Sequence, residues 1–386
     1  MLLHRMKLRG GKPLHGTVRS SGAKNAALPL LAACLMQQGH YELDNVPNLT
    51  DVMTMIRMLN SLGIRAEYHE NNKVKIWNKG RVKHIAPYEL VTAMRASFFV
   101  AGPILAMTGY AKVPLPGGCA IGSRPLDLHF QGFKKLGATI TIEHGFVEMK
   151  AKKLVGDRIY LDFPSVGATE NIMMAAALAE GETLIENAAQ EPEIVDLGEF
   201  LISGGAKIEG LGSSTIRIMG VKTLMGQNYS VIPDRIEVGT LMIAGAITKG
   251  DVTVEGVVPD HIEPLFRKMK EAGVHLTIQE NSIRVIGPDR IQAVDIETLP
   301  FPGFPTDMQA QMMSLLTFAE GTSIVKETIF ENRFMHAHEL MRMGAKIKLD
   351  RNHAILTGVT ELSGAEVKIT DLRAGAALVL AGLAAK

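Results

Sequence analysis

Two sets of glycines recur about every 70 residues along the chain. Gly63, Gly137, Gly205, Gly273 and Gly344 each close a helix-like stretch and open two short alternating strands, as in SLGIRAEYHENNKVKIW, KKLGATITIEHGFVEMK and KEAGVHLTIQENSIRVIG. Their spacings are 74, 68, 68 and 71 residues. Gly39, Gly109, Gly181, Gly250 and Gly321 follow Ala/Leu/Met-rich stretches and precede a strand, with spacings of 70, 72, 69 and 71. A glycine after a helix supplies the left-handed residue that ends it, and Asn, Gly, Asp or Ser turns bound each strand pair. Each unit therefore holds an apolar helix, a strand, an amphipathic helix and a hairpin. Such a unit buries its sheet only when its neighbours close around it, which predicts an α+β fold with repeated sheets. A sixth unit opens with DLRAGAALVLAGLAAK. At the same spacing its two glycines fall at about 391 and about 412, beyond Lys386, so the sixth unit is expected to be cut short.

The 386 residues, 46% of them apolar, suffice for the cores of two domains. Lys plus Arg number 41 against 40 Asp plus Glu, so no global positive field draws the chain to nucleic acid or an acidic membrane. Anion sites must be local. Cys34 and Cys119 are the two cysteines, too few for a disulfide framework and without metal-ligand spacing, which suits a reducing cytoplasm. MLLHRMKLRGGK carries charge where a signal peptide needs an apolar run. The longest apolar stretch, Ala374 to Ala385, falls short of the roughly 20 residues of a membrane span. His336 and His338 are separated by two positions and so do not share a helix face, which argues against a metal site.

Several residues invite chemistry. Cys119 lies in the Gly/Pro-rich segment PLPGGCAIGSRP, with Arg124 and His129 close behind; nearby positive charge and loop exposure favour a reactive thiolate. Cys34, within LLAACLM, reads as a small core residue. Gly117 and Gly122 have the spacing of a nucleotide-binding P-loop, but Ser123 and Arg124 stand where Lys and Ser or Thr are required, which disfavours a nucleotide triphosphatase. Lys24 and Asn25 open an Ala/Leu helix, where backbone N–H groups and the helix dipole favour an anion. Asp307 follows the Pro-rich turn LPFPGFPT and suits a helix N-cap, a role Thr306 can also fill.

SGAKNAALPLLAA, PLPGGCAIGSRPLDLH, PSVGATENIMMAA, FPTDMQAQ, ENRFMH and DLRAGAALVLAG, in this order along the whole chain, resemble the UDP-N-acetylglucosamine 1-carboxyvinyltransferase (MurA) family of enolpyruvyl transferases. The resemblance implies an inside-out α/β barrel, or β/α prism, in two domains of three units each. One domain is expected from residues 1–21 plus 232–386, with its C-terminal end incomplete, and the other from 22–231, carrying the Cys119 loop. It implies transfer of the enolpyruvyl group of phosphoenolpyruvate to the 3′-hydroxyl of UDP-N-acetylglucosamine, in the cytoplasm, as the first committed step of peptidoglycan synthesis. No metal, organic cofactor, nucleic acid or membrane partner is implied, although Cys119 is expected to form a covalent pyruvate-type adduct and to be alkylated by fosfomycin. The alternatives are a truncated, inactive nucleotide-sugar-binding homologue, and a transferase acting on shikimate 3-phosphate, against which the Cys119 loop and RPLDL speak.

By the same resemblance Cys119 is the general acid, Asp307 the base for the 3′-hydroxyl, and Lys24 and Arg373 act beside them in catalysis. A capping carboxylate has a depressed pKa and makes a poor base, so the cap and base readings of Asp307 compete. Asn25 is expected to orient the sugar, and Arg95 to bind phosphate or substrate. Arg124, Pro125, Leu126, Asp127, Leu128 and His129 resemble the uridine-binding stretch, with Leu126 where Val is frequent. Ser165, Val166 and Gly167 resemble the loop against the uracil. Ile329, Arg333, Asp371 and Arg373 match positions lining the family's substrate cleft, where guanidinium groups meet carboxylate and phosphate bidentately.

Overall fold

The computed structural model describes residues 5–117, 122 and 126–386, a mixed α/β chain. Its contacts divide into two compact units, one from residues 5–20 and 234–386, the other from 21–117 and 126–233.

Helices without a polar face organise each unit. In residues 21–233, Lys24–Ala33, Ala101–Thr108 and Val166–Ala177 are almost wholly apolar and buried along nearly their whole length. In the other unit Arg235–Ile247 and Gln309–Leu316 have the same character, and the apolar, partly buried helix Leu372–Ala384 packs on both. A helix that is apolar all round has to be enclosed. Amphipathic helices turn one face toward these cores: Thr50–Ser61 and Asp127–Lys135 in one unit, Glu263–Glu271 and Met335–Arg342 in the other.

Five sheets share one wiring. A strand pairs antiparallel with the second arm of the hairpin that follows the next helix, and the first arm lies beyond it. Gln37–Asp44 thus lies beside Lys73–Asn78, then Arg65–His69. Tyr110–Pro114, Glu182–Glu186, Asp251–Glu255 and Thr322–Lys326 begin the other four. Register puts Tyr41 opposite Ile76 and Leu43 opposite Val74, and alternation turns all four side chains inward, where they are buried. Parallel strands extend the sheets, among them His15–Arg19 beside Asp251–Glu255 and Arg158–Tyr160 beside Glu182–Glu186.

The glycines that end the outer helices take the conformation their position requires: Gly63, Gly137, Gly205, Gly273 and Gly344 have φ of 100°, 94°, 102°, 90° and 99°. Gly250 has another reason for lacking a side chain, since a Cβ there would stand 2.1 Å from the Leu14 carbonyl oxygen. Cys34 is buried, its thiol donating to the Leu30 carbonyl oxygen at 3.3 Å and pushed up to about 12 by desolvation. Among the described residues no helix is long and apolar enough to cross a membrane.

One buried group works against this packing. Glu170 sits inside the enclosed helix Val166–Ala177, fully buried, and neither carboxylate oxygen has a hydrogen-bond partner among the described residues. Burial above all, then the charges of Glu193 and Glu191, hold its pKa well above the usual carboxylate range. The native state therefore keeps a proton that the unfolded chain releases. This contribution to stability is complete below the unfolded carboxylate pKa of about 4.3 and is lost as pH rises toward the folded value. Replacing Glu170 by Gln removes it, so the thermal midpoint of the wild type should fall relative to Glu170→Gln between pH 4 and 8. Scanning calorimetry at several pH values checks this, and parallel pH profiles would contradict it.

Candidate active site

Three enclosed helices of residues 234–386 carry polar groups at their N-terminal ends, because nowhere else along them can a charge reach solvent. Asp234 caps Arg235–Ile247, its Oδ1 accepting from the N–H groups of Ile236 at 2.8 Å and Glu237 at 3.1 Å. Asp371 caps Leu372–Ala384 in the same way, accepting from Arg373 at 2.9 Å and Ala374 at 3.1 Å.

Asp307 does something else. It lies in the 3-10 turn Thr306–Met308 that leads into Gln309–Leu316; Pro305 holds the N-cap position and no side chain caps the turn. The cap reading of Asp307 is therefore wrong, and so is the suggestion that Thr306 caps instead, because the Thr306 hydroxyl donates to Glu327 at 2.9 Å. Asp307 Oδ1 accepts from Arg333 and Oδ2 from Arg373, each at 2.7 Å. Burial would raise its pKa, but the guanidinium groups of Arg373 and Arg333 outweigh it and hold the carboxyl far below the usual range. Asp307 is thus a charged clamp between two cations. Arg333 is 3% exposed, stacks over Phe330 with its guanidinium 5.4 Å from the ring centre, and leaves Nε without a hydrogen-bond partner among the described residues. Ile329 is half-buried just beyond the strand Thr322–Lys326, its N–H donating to Glu327 at 2.8 Å.

In residues 21–233, Lys24 begins its helix and its ammonium meets Asp51 at 3.2 Å. Asn25 beside it is exposed. Arg95 opens a 3-10 stretch, Arg95–Val100, that runs into Ala101–Thr108. Leu126 precedes the helix Asp127–Lys135, which takes in Asp127, Leu128 and His129. The loop expected at 165–167 is instead a helix start: Ser165 is the N-cap of Val166–Ala177, and Val166 and Gly167 belong to its first turn. His129 Nε2 lies 3.4 Å from where a Cβ on Gly167 would stand, so these two segments meet. Cys119, Arg124 and Pro125 lie outside the described residues.

Sequence reasoning missed Asp234, Arg235 and His336. The electrostatic field at Arg373 includes Asp234 and Arg235, and Arg235 stands 5.7 Å over the Phe301 ring. PDRIE and TDLRA share the signal that could have found the first two, an Asp cap followed by Arg at the start of an apolar helix. His336 is fully buried, and its ring nitrogens have no hydrogen-bond partner among the described residues. Burial pushes it down to about 4, with Asp371 opposing. Nothing in the sequence distinguishes it from a surface histidine.

The profile of the EPSP synthase (3-phosphoshikimate 1-carboxyvinyltransferase) family matches residues 8–386. A UDP-N-acetylglucosamine 1-carboxyvinyltransferase 1 from Caldanaerobacter subterraneus is 59% identical over 375 residues, covering 97% of this chain and 90% of that protein. A UDP-N-acetylglucosamine 1-carboxyvinyltransferase from Gloeobacter violaceus is 56% identical over 381 residues, 98% of this chain and 83% of that one. Among solved structures, the enolpyruvyl transferase NikO from Streptomyces tendae shares the fold with a TM-score of 0.87 at 24% identity, over 98% of this chain and 90% of its own. EPSP synthase from Acinetobacter baumannii does so at 0.76 and 20%, over 98% and 91%.

The clamp has a thermodynamic consequence. Removing the shared anion strands both guanidinium groups, so Asp307→Leu should cost about 3–5 kcal/mol in urea denaturation. Adding Arg333→Met and Arg373→Met to that variant should restore part of the loss. If Asp307→Leu leaves the urea midpoint unchanged, the arrangement is not a stabilising clamp.

Proposed function

Because the chain belongs to the UDP-N-acetylglucosamine 1-carboxyvinyltransferases of the EPSP synthase family, we infer that it transfers the enolpyruvyl group of phosphoenolpyruvate to the 3′-hydroxyl of UDP-N-acetylglucosamine and releases phosphate. The observation that carries this is the identity to enzymes of that name over nearly the whole chain. The reaction belongs to the synthesis of peptidoglycan and is placed in the cytoplasm.

The chemistry is an addition followed by an elimination. The 3′-oxygen bonds to C2 of phosphoenolpyruvate as its proton leaves to a base, and C3 takes a proton from an acid. The resulting tetrahedral adduct then loses a C3 proton and breaks its C2–phosphate bond. In this reading Cys119 protonates C3, and its thiolate also captures phosphoenolpyruvate as a covalent adduct. Asp307 takes the hydroxyl proton. Lys24, Arg95, Arg333 and Arg373 meet the carboxylate and phosphate, and Asn25 and Asp371 orient the acceptor. Residues 124–129 and 165–167 hold the uridine diphosphate portion, and Ile329 lies against the nucleotide sugar. No cofactor takes part.

Asp307 fits the role of base only if its guanidinium partners are drawn off. Both Arg333 and Arg373 are shared with it at 2.7 Å, and a phosphate or carboxylate arriving on them offers a stronger bidentate partner. Substrate binding would then raise the Asp307 pKa toward a value useful for proton transfer. The same reading takes the five like-wired sheets as copies of one strand–helix–hairpin unit, grouped in two domains at residues 1–21 plus 232–386 and 22–231; the common strand order and the five left-handed glycines support it.

The assay is phosphate release from phosphoenolpyruvate, with UDP-N-acetylglucosamine or shikimate 3-phosphate as acceptor. Release is expected with the nucleotide sugar alone; release with shikimate 3-phosphate, or binding of the nucleotide sugar without turnover, would overturn the assignment. Asp307→Asn should lower kcat by about 10²–10⁴-fold while nucleotide-sugar binding persists. Cys119→Ser should abolish turnover and alkylation by fosfomycin.

A further inference from the structure

His129, placed above against the uridine diphosphate portion, shares a buried polar network with Asn171, a residue to which the reaction scheme gives no role. Asn171 lies in the enclosed helix Val166–Ala177, and its amide orientation is fixed by two backbone partners. Its Oδ1 accepts from the Gly102 N–H at 2.9 Å, and its Nδ2 donates to the Phe98 carbonyl oxygen at 3.1 Å. The same Nδ2 stands 3.2 Å from Nδ1 of His129. An amide nitrogen can only donate, so Nδ1 must present its lone pair. A neutral imidazole carries one N–H, which is then on Nε2.

The ring stays neutral. His129 is 8% exposed, and burial first, then the positive charge of Arg95, push it down to about 3. Phe98 holds it from the side, edge to face at 5.4 Å. The Nε2 edge faces the first turn of the helix at Gly167. It stands beside the positive end of a 12-residue helix whose Ser165 cap accepts from the Ala168 N–H at 3.4 Å. Donors and positive field converge there. An acceptor oxygen is the complement.

We propose that Asn171 is a positioning residue that fixes His129 in the neutral, Nε2-protonated tautomer, so that this N–H donates to an oxygen of the bound uridine diphosphate moiety. The inference rests on the nucleotide-sugar reading above. A phosphate oxygen and a uracil carbonyl are the two oxygens that can meet such a donor. Gly167 is part of the arrangement, because a Cβ there would stand 3.4 Å from His129 Nε2, in the space beside that nitrogen.

The tautomer is read directly from long-range ¹H–¹⁵N correlation spectra of histidine-labelled protein. His129 is expected to show protonated Nε2 and bare Nδ1, unchanged between pH 8 and 5. An Nδ1–H pattern, or an imidazolium at pH 6, would sink the proposal. Asn171→Asp should convert the ring to the Nδ1-protonated or charged form, a change that loss of packing alone would not produce. Binding of UDP and of uridine to the whole protein is measured in parallel by calorimetry. His129→Phe should weaken UDP binding about 10- to 100-fold, and His129→Gln, which keeps an N–H donor, should bind UDP more tightly than His129→Phe. Weakening of UDP alone identifies a phosphate oxygen, and equal weakening of uridine identifies the base. If His129→Phe binds both as the wild type does, the proposal fails whether or not Asn171→Asp folds. Nucleotide binding is read without turnover, so a protein that binds UDP but releases no phosphate would defeat the transferase reading and leave this one standing.

Discussion

A helix buried on every side has only its ends left for polar chemistry. The apolar helices Lys24–Ala33, Val166–Ala177 and Arg235–Ile247 are enclosed nearly throughout and Leu372–Ala384 is enclosed in part, so charge collects where they begin. Asp234 and Asp371 satisfy the free N–H groups of their helices, and the positive helix end stabilises their carboxylates in turn. Lys24 differs in lacking an acidic cap beside it: Ala23 holds the N-cap position, and a cation begins the helix at its positive end. The helix dipole disfavours its charge, Asp51 offsets that at 3.2 Å, and the combination is well suited to an anion that replaces Asp51.

The pair of guanidinium groups on Asp307 follows from the same constraint. Arg373 comes from the first turn of Leu372–Ala384 and Asp307 from the turn before Gln309–Leu316, helices that pack closely together. Arg333 reaches the same carboxylate from the segment ahead of Met335–Arg342, almost wholly buried. Two cations share one carboxylate in a site mostly removed from water, and a substrate anion arriving there would compete with Asp307 for them.

Much of the fold could be read in advance because backbone demands leave marks on residue type. The hairpin glycines stand where φ lies between 90° and 102°, a region that other residues rarely occupy, so their spacing tracked the architecture. Apolar runs without a polar face marked the enclosed helices for the same reason. The site was less legible. Ser165, Val166 and Gly167 read as a loop, because a cap and a first helical turn have the composition of a turn; only the hydrogen bond from Ala168 distinguishes them. Asp307 kept two readings because a carboxylate ahead of a helix suits a cap, and the arginines that claim it are 26 and 66 residues away. Asn171 and Asp196 look alike in sequence, short polar side chains within apolar helices. The first orders a histidine, while the second is pushed up to about 7 by burial despite hydrogen bonds from Tyr229 and the Ile232 N–H.

A fixed tautomer and a clamped carboxylate are two solutions to one problem. A group that is to bind an anion has to stay a donor at every working pH. Arg333 and Arg373 meet this by charge, since a guanidinium does not give up its proton, and they keep Asp307 ionised in the bargain. His129 meets it without charge: desolvation and Arg95 keep it from becoming imidazolium, and Asn171 removes the other neutral tautomer by donating to Nδ1. The difference matters to catalysis. A charged donor holds an anion strongly but also pulls down the pKa of any nearby base, as it does at Asp307, whereas a neutral N–H supplies direction without that field. In the proposed reading, His129 adds a neutral, directional donor to nucleotide binding, and the field of Arg333 and Arg373 stays with the group whose proton transfer it governs, Asp307.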